Sequence, residues 1–262
     1  MKKILVGLAA GLFVIACNEA SSEADAPKNT DLIYQNLKGE IQRIEEVPYK
    51  VDSVSGQATV VDTCCTGIEE FDEKGYSKRY TTKDSKGTTK DDYTFTRYEN
   101  GMLKEQVQTF EGKPRSKFSI QKGQNGSYGD AQNFDSTGKL DAYYTEVNSD
   151  TVYNLVMGWK RYKPDSTLHS IATREYDKTL FTSFTNTDST GKVVMTIKAK
   201  NDANGNQIES TTTEMKGDST TTKVVTYKYE GLDEKGNWTQ RTEYEKGKPV
   251  KVVKRTITYY KD

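Results

Sequence analysis

The chain has 262 residues, 38 Lys+Arg against 38 Asp+Glu, and a mean hydropathy of −0.83 with a hydrophobic share of 33%. Both signs of charge are interspersed, so no basic stretch argues for nucleic acid or an anionic bilayer surface. A single histidine, His169, and three cysteines leave no ligand set for an ordinary zinc site.

The chain opens on Lys2-Lys3 and an apolar run from Ile4 to Ile15. That run is too short to span a bilayer, which takes roughly twenty residues. With Val14-Ile15-Ala16-Cys17 it resembles a bacterial lipoprotein signal and its lipobox. The resemblance implies cleavage before Cys17, acylation of Cys17 and a membrane partner reached through that lipid. Residues 1–16 are then the signal peptide. Residues 17–30, small and acidic with Asn18, Glu19, Glu23 and Asp25, are a disordered tether. Asn18 after the cysteine implies the outer membrane, with either surface or periplasmic display. Residues 31–262 are one repetitive β domain, with a short helix expected around Asp31 to Leu37.

From residue 30 on, turn signals recur at about one strand's spacing. Asp72-Glu73-Lys74-Gly75, Asp84-Ser85-Lys86-Gly87, Asp135-Ser136-Thr137-Gly138, Asp188-Ser189-Thr190-Gly191, Asp202-Ala203-Asn204-Gly205 and Asp233-Glu234-Lys235-Gly236 share the form Asp-x-x-Gly. Asp caps such a turn through its side chain, and Gly takes the positive φ that returns the chain. Between the turns lie alternating β-formers such as Tyr93/Phe95 and Val225/Tyr227/Tyr229. This pattern predicts an all-β fold: an antiparallel β-meander of a dozen or more strands, curled into an open barrel or wrap, with a β-sandwich as the alternative. Tyr, Val and Phe are expected on the covered face and Thr, Lys and Glu on the outer one. The change of apolar face along Val250, Val252, Val253, Ile257 and Tyr259 predicts a bulge near Val253.

Phe71-Asp72-Glu73-Lys74-Gly75-Tyr76 and Leu232-Asp233-Glu234-Lys235-Gly236-Asn237-Trp238 resemble the YD (RHS-type) repeat. With Asn36-Leu37-Lys38-Gly39-Glu40-Ile41, they are similar to segments of YD-like lipoproteins of the Bacteroidota type. The resemblance implies stacked hairpin units and carries no activity.

Little in the sequence points to catalysis. His169 sits in no motif, and the expected role is a surface or strand position. Asn201-Asp202-Ala203-Asn204-Gly205 has oxygen ligands but not an EF-hand register, so neither metal nor cofactor is expected. Cys64 and Cys65 read as two thiols on opposite faces of one strand, with a vicinal redox pair as the alternative. Trp159 and Trp238 are candidates for stacking on a glycan or protein ligand, or for filling a thin core. Asp-Ser/Thr pairs place possible O-glycosylation at Ser53, Ser136, Thr151, Ser166, Ser189 and Ser219, against plain turn chemistry. The function expected is a non-enzymatic binding or structural module of the cell envelope. The alternatives are a carboxylate-based glycan hydrolase and a carrier of an apolar ligand.

Overall fold

The computed structural model describes residues 30–51, 58–60, 65–123, 127–150, 153 and 155–261. One short helix, α1 (Asp31–Tyr34), precedes seventeen strands. These are β1 (Ile41–Val51), β2 (Ala58–Val60), β3 (Thr66–Phe71), β4 (Ser77–Lys83), β5 (Thr89–Arg97) and β6 (Leu103–Phe110). Next come β7 (Lys113–Lys122), β8 (Tyr128–Phe134), β9 (Leu140–Ser149), β10 (Val156–Tyr162), β11 (Leu168–Asp177) and β12 (Leu180–Asp188). The last are β13 (Val193–Asn201), β14 (Gln207–Lys216), β15 (Ser219–Leu232), β16 (Trp238–Glu245) and β17 (Lys248–Tyr259).

From β3 to β17 every strand pairs antiparallel with the next in sequence. β1 closes the ring, pairing with β17 from Ile41↔Tyr259 to Lys50↔Lys251 and with β3 from Arg43↔Glu70 to Glu46↔Gly67. All strands but β2 therefore form a barrel of sixteen. β2 pairs only with the far end of β1, at Tyr49, Lys50 and Val51. The curled meander read from the sequence is present, and it closes fully, which leaves no edge in the ring to template a second chain.

The Asp-x-x-Gly units are the turns that build it. In all six, Asp Oδ1 accepts from the backbone N–H groups two and four residues ahead, at 2.8–3.1 Å. The glycine N–H returns to the Asp carbonyl at 2.9–3.1 Å, and each glycine has φ between 80° and 87°. The β10–β11 turn uses the same frame with Ser166 in the glycine's place, at φ 68°.

Gln35 of the N-terminal segment bonds Glu69, so the face carrying Glu69 is the inner one. Register and pleat carry that assignment around the ring. The inner wall holds Ile44 and Glu46, Glu69, Tyr80, Tyr93, Gln108, Phe118 and Ile120, Ala131, Ala142 and Tyr144, Trp159, Ala172 and Arg174. It continues through Phe184, Ile197, Ser210, Tyr227 and Tyr229, Arg241, Val253 and Arg255. The outer wall carries Thr94, Glu105, Lys117, Lys198, Thr211, Lys228 and Lys254, as the expected polar face.

Two expectations are corrected. The bulge expected near Val253 lies earlier on β17, at Val250, and no register shift occurs at Val253 itself. The face alternates unbroken from Lys251 to Ile257 against β1, and the β16–β17 irregularity falls at Glu243/Tyr244, opposite Lys251 and Pro249. Val252 points outward because Tyr49, its partner on β1, gives it an apolar neighbour there. Cys65 lies just before β3, not within a strand, and its sulfur is in a disulfide. Off the ladder, it is not held by strand pairing. Cys64 lies outside the described residues.

Candidate functional site: a plugged end, an open mouth and a lumen

The two ends of the barrel differ. At one end residues 30–40 fold across the opening as a plug. Thr30 caps α1, its Oγ1 accepting from Ile33 N at 3.4 Å, and Leu32, Tyr34 and Leu37 are buried. Around the rim the plug meets turns from opposite sides of the ring. Leu32 N donates to Gly75 O at 3.3 Å. Asp31 accepts from Ser77 N at 2.7 Å and from Arg97 at 2.5 Å. The Tyr34 hydroxyl donates to Tyr153 O. Asn36 Nδ2 donates to Asn204 O at 2.8 Å, and Lys38 N donates to Asn237 Oδ1 at 2.9 Å.

The apolar core follows this plan. Leu32 and Leu37 pack on Ile41, Ile44 and Phe71, and Tyr34 packs on Leu155 with Met157 and Tyr176 around it. A third cluster, Ile120, Ala131, Ala142 and Tyr144, lies along the wall of β7–β9. The core is thus split among the plug and one arc of wall. Many inner side chains, among them Tyr227, Phe184, Ile197, Gln108 and Asn186, stay partly accessible.

At the other end the hairpin turns among the described residues are short and exposed; the β1–β3 connection also lies at this end, and residues 52–57 and 61–64 of it lie outside the described residues. A Cβ placed on Gly87, Gly112, Gly138, Gly191, Gly217 or Gly247 would meet nothing within 4 Å. At the plugged end the same atom on Gly75 would lie 2.9 Å from Leu32, and on Gly101 2.0 Å from the Tyr76 hydroxyl. We call the open end the mouth. Ser136, Ser166, Ser189 and Ser219 all sit exposed on its rim. Cys17, Ser53 and Thr151 lie outside the described residues. His169 is exposed on β11.

Both tryptophans have arginines against them. The Arg255 guanidinium lies 3.4 Å from the centroid of Trp238, and Arg241 lies 5.3 Å from it. Arg255 donates twice to Glu46 Oε1, at 2.9 and 2.6 Å, and Arg241 pairs with Glu243 at 3.1 Å. Burial alone would push the Glu46 carboxyl up, but the Arg255 and Arg241 charges outweigh it and hold the carboxyl below the usual range. Trp238 is buried. Trp159 is half-buried on the opposite arc, with Phe184 at 6.3 Å and Arg174 at 4.8 Å from its ring.

Glu69 is the second distinctive acid. Gln35 Nε2 donates to both its oxygens, at 3.0 and 2.9 Å, and the Ser77 hydroxyl donates to one of them. Burial pushes its carboxyl up to about 7, against those hydrogen bonds, with Asp31 and Glu46 adding repulsion. None of Glu46, Glu69, Arg174 and Arg255 stands in a local motif. Strand pairing across the closure brings Glu46, Glu69 and Arg255 together, while Arg174 lies apart on β11 against Trp159 and Phe184, so no local pattern marks any of the four.

No family model matches the chain, and no curated protein matches it. Among solved structures, a porin-like protein from Bacteroides uniformis is similar with a TM-score of 0.54 at 15% identity, over 84% of this chain and 99% of that one. TcdB2-TccC3 without its hypervariable C-terminal region aligns with a TM-score of 0.30 at 16% identity, over 79% of this chain and 11% of that one. The first likeness is one of fold alone. The chain spans only about a tenth of TcdB2-TccC3, and that alignment carries no argument.

Proposed function

We propose that the chain is a non-enzymatic binding module of the cell envelope: a cup, tethered to the outer membrane by lipid on Cys17, that takes a ligand through its mouth. The observation that carries this reading is the asymmetry of the ends among the described residues, one filled by residues 30–40 and the other ringed by bare turns. Thr30 lies at the plugged end, so a tether through residues 17–30 leaves from there and the mouth points away from the anchor. The same rim carries Ser136, Ser166, Ser189 and Ser219, where O-glycans would stand clear of the wall.

The outer wall supports a tethered barrel over one that spans the bilayer. A spanning barrel turns an apolar band about 25 Å tall to lipid, and each Arg or Lys at mid-depth costs about 2–4 kcal/mol. Here Lys117, Lys198, Lys228 and Lys254 face outward. Detergent-phase partitioning separates the two. The native chain is expected in the detergent phase, and a chain of residues 18–262, which lacks both the apolar run and the lipid site, in the aqueous phase. Residues 18–262 staying in detergent would mean that the wall itself holds the membrane, and would overturn the reading.

One observation favours a second reading, a carboxylate-based glycan hydrolase. Glu46 and Glu69 are inner-wall neighbours whose environments drive their carboxyls in opposite directions. Against it, both Glu69 oxygens are engaged by Gln35 of the plug. Glycan hydrolysis abolished by Glu46→Gln would establish that reading.

A further inference from the structure

We infer that the lumen holds an amphiphilic carboxylate, its charged end on Arg174 and its apolar body along Trp159, Phe184 and Ile197; this rests on the cup reading above. The chain has eight arginines. Seven of them, at positions 43, 79, 97, 115, 161, 241 and 255, are ion-paired to an acid. Arg174 has no such partner among the described residues, although it is half-buried on the inner wall. Its guanidinium lies 4.8 Å from the Trp159 centroid and 6.0 Å from that of Phe184. Two aromatic rings hold the cation without neutralising it or occupying its N–H fork. A guanidinium in that state is complementary to a carboxylate, which its parallel N–H groups grip in bidentate fashion.

The surroundings set the rest of the ligand. Ala172 on β11 is small, and with Trp159 on β10, Phe184 on β12 and Ile197 on β13 it gives Arg174 an apolar stretch of wall. On the opposite arc, Arg241 and Arg255 are already balanced by Glu243 and Glu46, so no second anion is called for there. One cation beside an apolar strip fits one carboxylate with an apolar body and not a polyanion. The half-exposed Trp159 ring beside Arg174 places a reporter at the site.

The test uses residues 18–262, without the apolar run and the lipid site, free of detergent, with dodecanoate and dodecan-1-ol below their aggregation limits. Binding is read by calorimetry and by tryptophan emission. Dodecanoate is expected to bind at least tenfold more tightly than dodecan-1-ol and to shift the emission. Arg174→Gln should remove that tenfold advantage and leave dodecan-1-ol unchanged, while Arg174→Lys, which keeps the charge, should restore part of it. Equal dodecanoate affinity in the native and Arg174→Gln chains would overturn the inference. So would a native chain that does not distinguish acid from alcohol; there the alcohol's binding would leave the cup itself standing. If neither compound binds, the inference falls, and the lumen-labelling measurement that closes the Discussion decides the cup independently.

Discussion

Lys38 and Asn237, 199 positions apart, hold each other by a reciprocal pair of hydrogen bonds. Lys38 N donates to Asn237 Oδ1 at 2.9 Å, and Asn237 Nδ2 donates back to Lys38 O at 2.9 Å. The amide is 3% exposed and also donates to the Tyr259 hydroxyl at 2.7 Å. It thus joins the plug to the β15–β16 turn and to the last strand. Asn237→Ala strands buried backbone groups of the plug and should cost about 3 kcal/mol in a denaturant melt. Lys235→Ala, exposed in the same turn, should stay within about 0.5 kcal/mol. Equal costs would mean that the plug is not fastened there.

The difference between the ends gives a paired test in glycines. Gly101 and Gly112 both have positive φ, 83° and 76°, so alanine strains either backbone by about 1–2 kcal/mol. Only at Gly101 would the new methyl strike the Tyr76 hydroxyl, which must then move out of a buried site. Gly101→Ala should therefore destabilise by at least about 1 kcal/mol more than Gly112→Ala. Melting curves of the two variants measure the difference, and equal losses would remove the distinction between plugged end and mouth.

Glu69 makes a prediction in pH. Its carboxyl is raised from 4.5 to about 7 on folding, so between those values the folded chain binds more protons than the unfolded one. Its contribution is fully present below pH 4.5 and is lost as pH rises to about 7. The slope reaches about 1.4 kcal/mol per pH unit where the difference in proton binding is one. Glu69→Gln should remove that slope. The readout is the difference between native and variant stability at pH 5 and at pH 7.5, which cancels the titration of other acids such as Glu46. The same difference at both values would contradict the assignment.

Cys65 should be blocked in the native chain. Thiol titration without reductant is expected to find it unreactive, and reduction should expose it. A Cys65 that reacts at once would return it to the free-thiol reading drawn from the sequence.

Much of the wall was legible because it is local. Asp72, Asp84, Asp135, Asp188, Asp202 and Asp233 announce their turns, since capping and positive φ are decided within five residues. The inward Tyr227 and Tyr229, and outward Thr226 and Lys228, follow from period two. Closure was not legible. Glu46 and Arg255 meet across 209 positions, on strands whose own patterns do not mark them as neighbours. The plug was hidden for a related reason. Gln35, Asn36 and Lys38 are polar and read only as the end of a short helix, and the partners that fix them lie on strands and rim turns far along the chain. The bulge expected near Val253 falls earlier on the same strand, at Val250, and Val252 and Val253 simply serve opposite faces, the outer Val252 finding an apolar partner in Tyr49.

The most direct test of the cup is the reach of reagents to adjacent residues on the two faces of β13. Met195 faces the lumen beside Asn186, and Thr196 faces outward beside Thr185. Each is replaced by cysteine in a chain whose own cysteines are serine, then treated with a small maleimide and with one carrying a large polymer. Met195→Cys should react with the small reagent and resist the large one, while Thr196→Cys should react with both. A Met195→Cys that neither reagent reaches, or that both reach as readily as Thr196→Cys, would contradict a lumen entered through an open mouth.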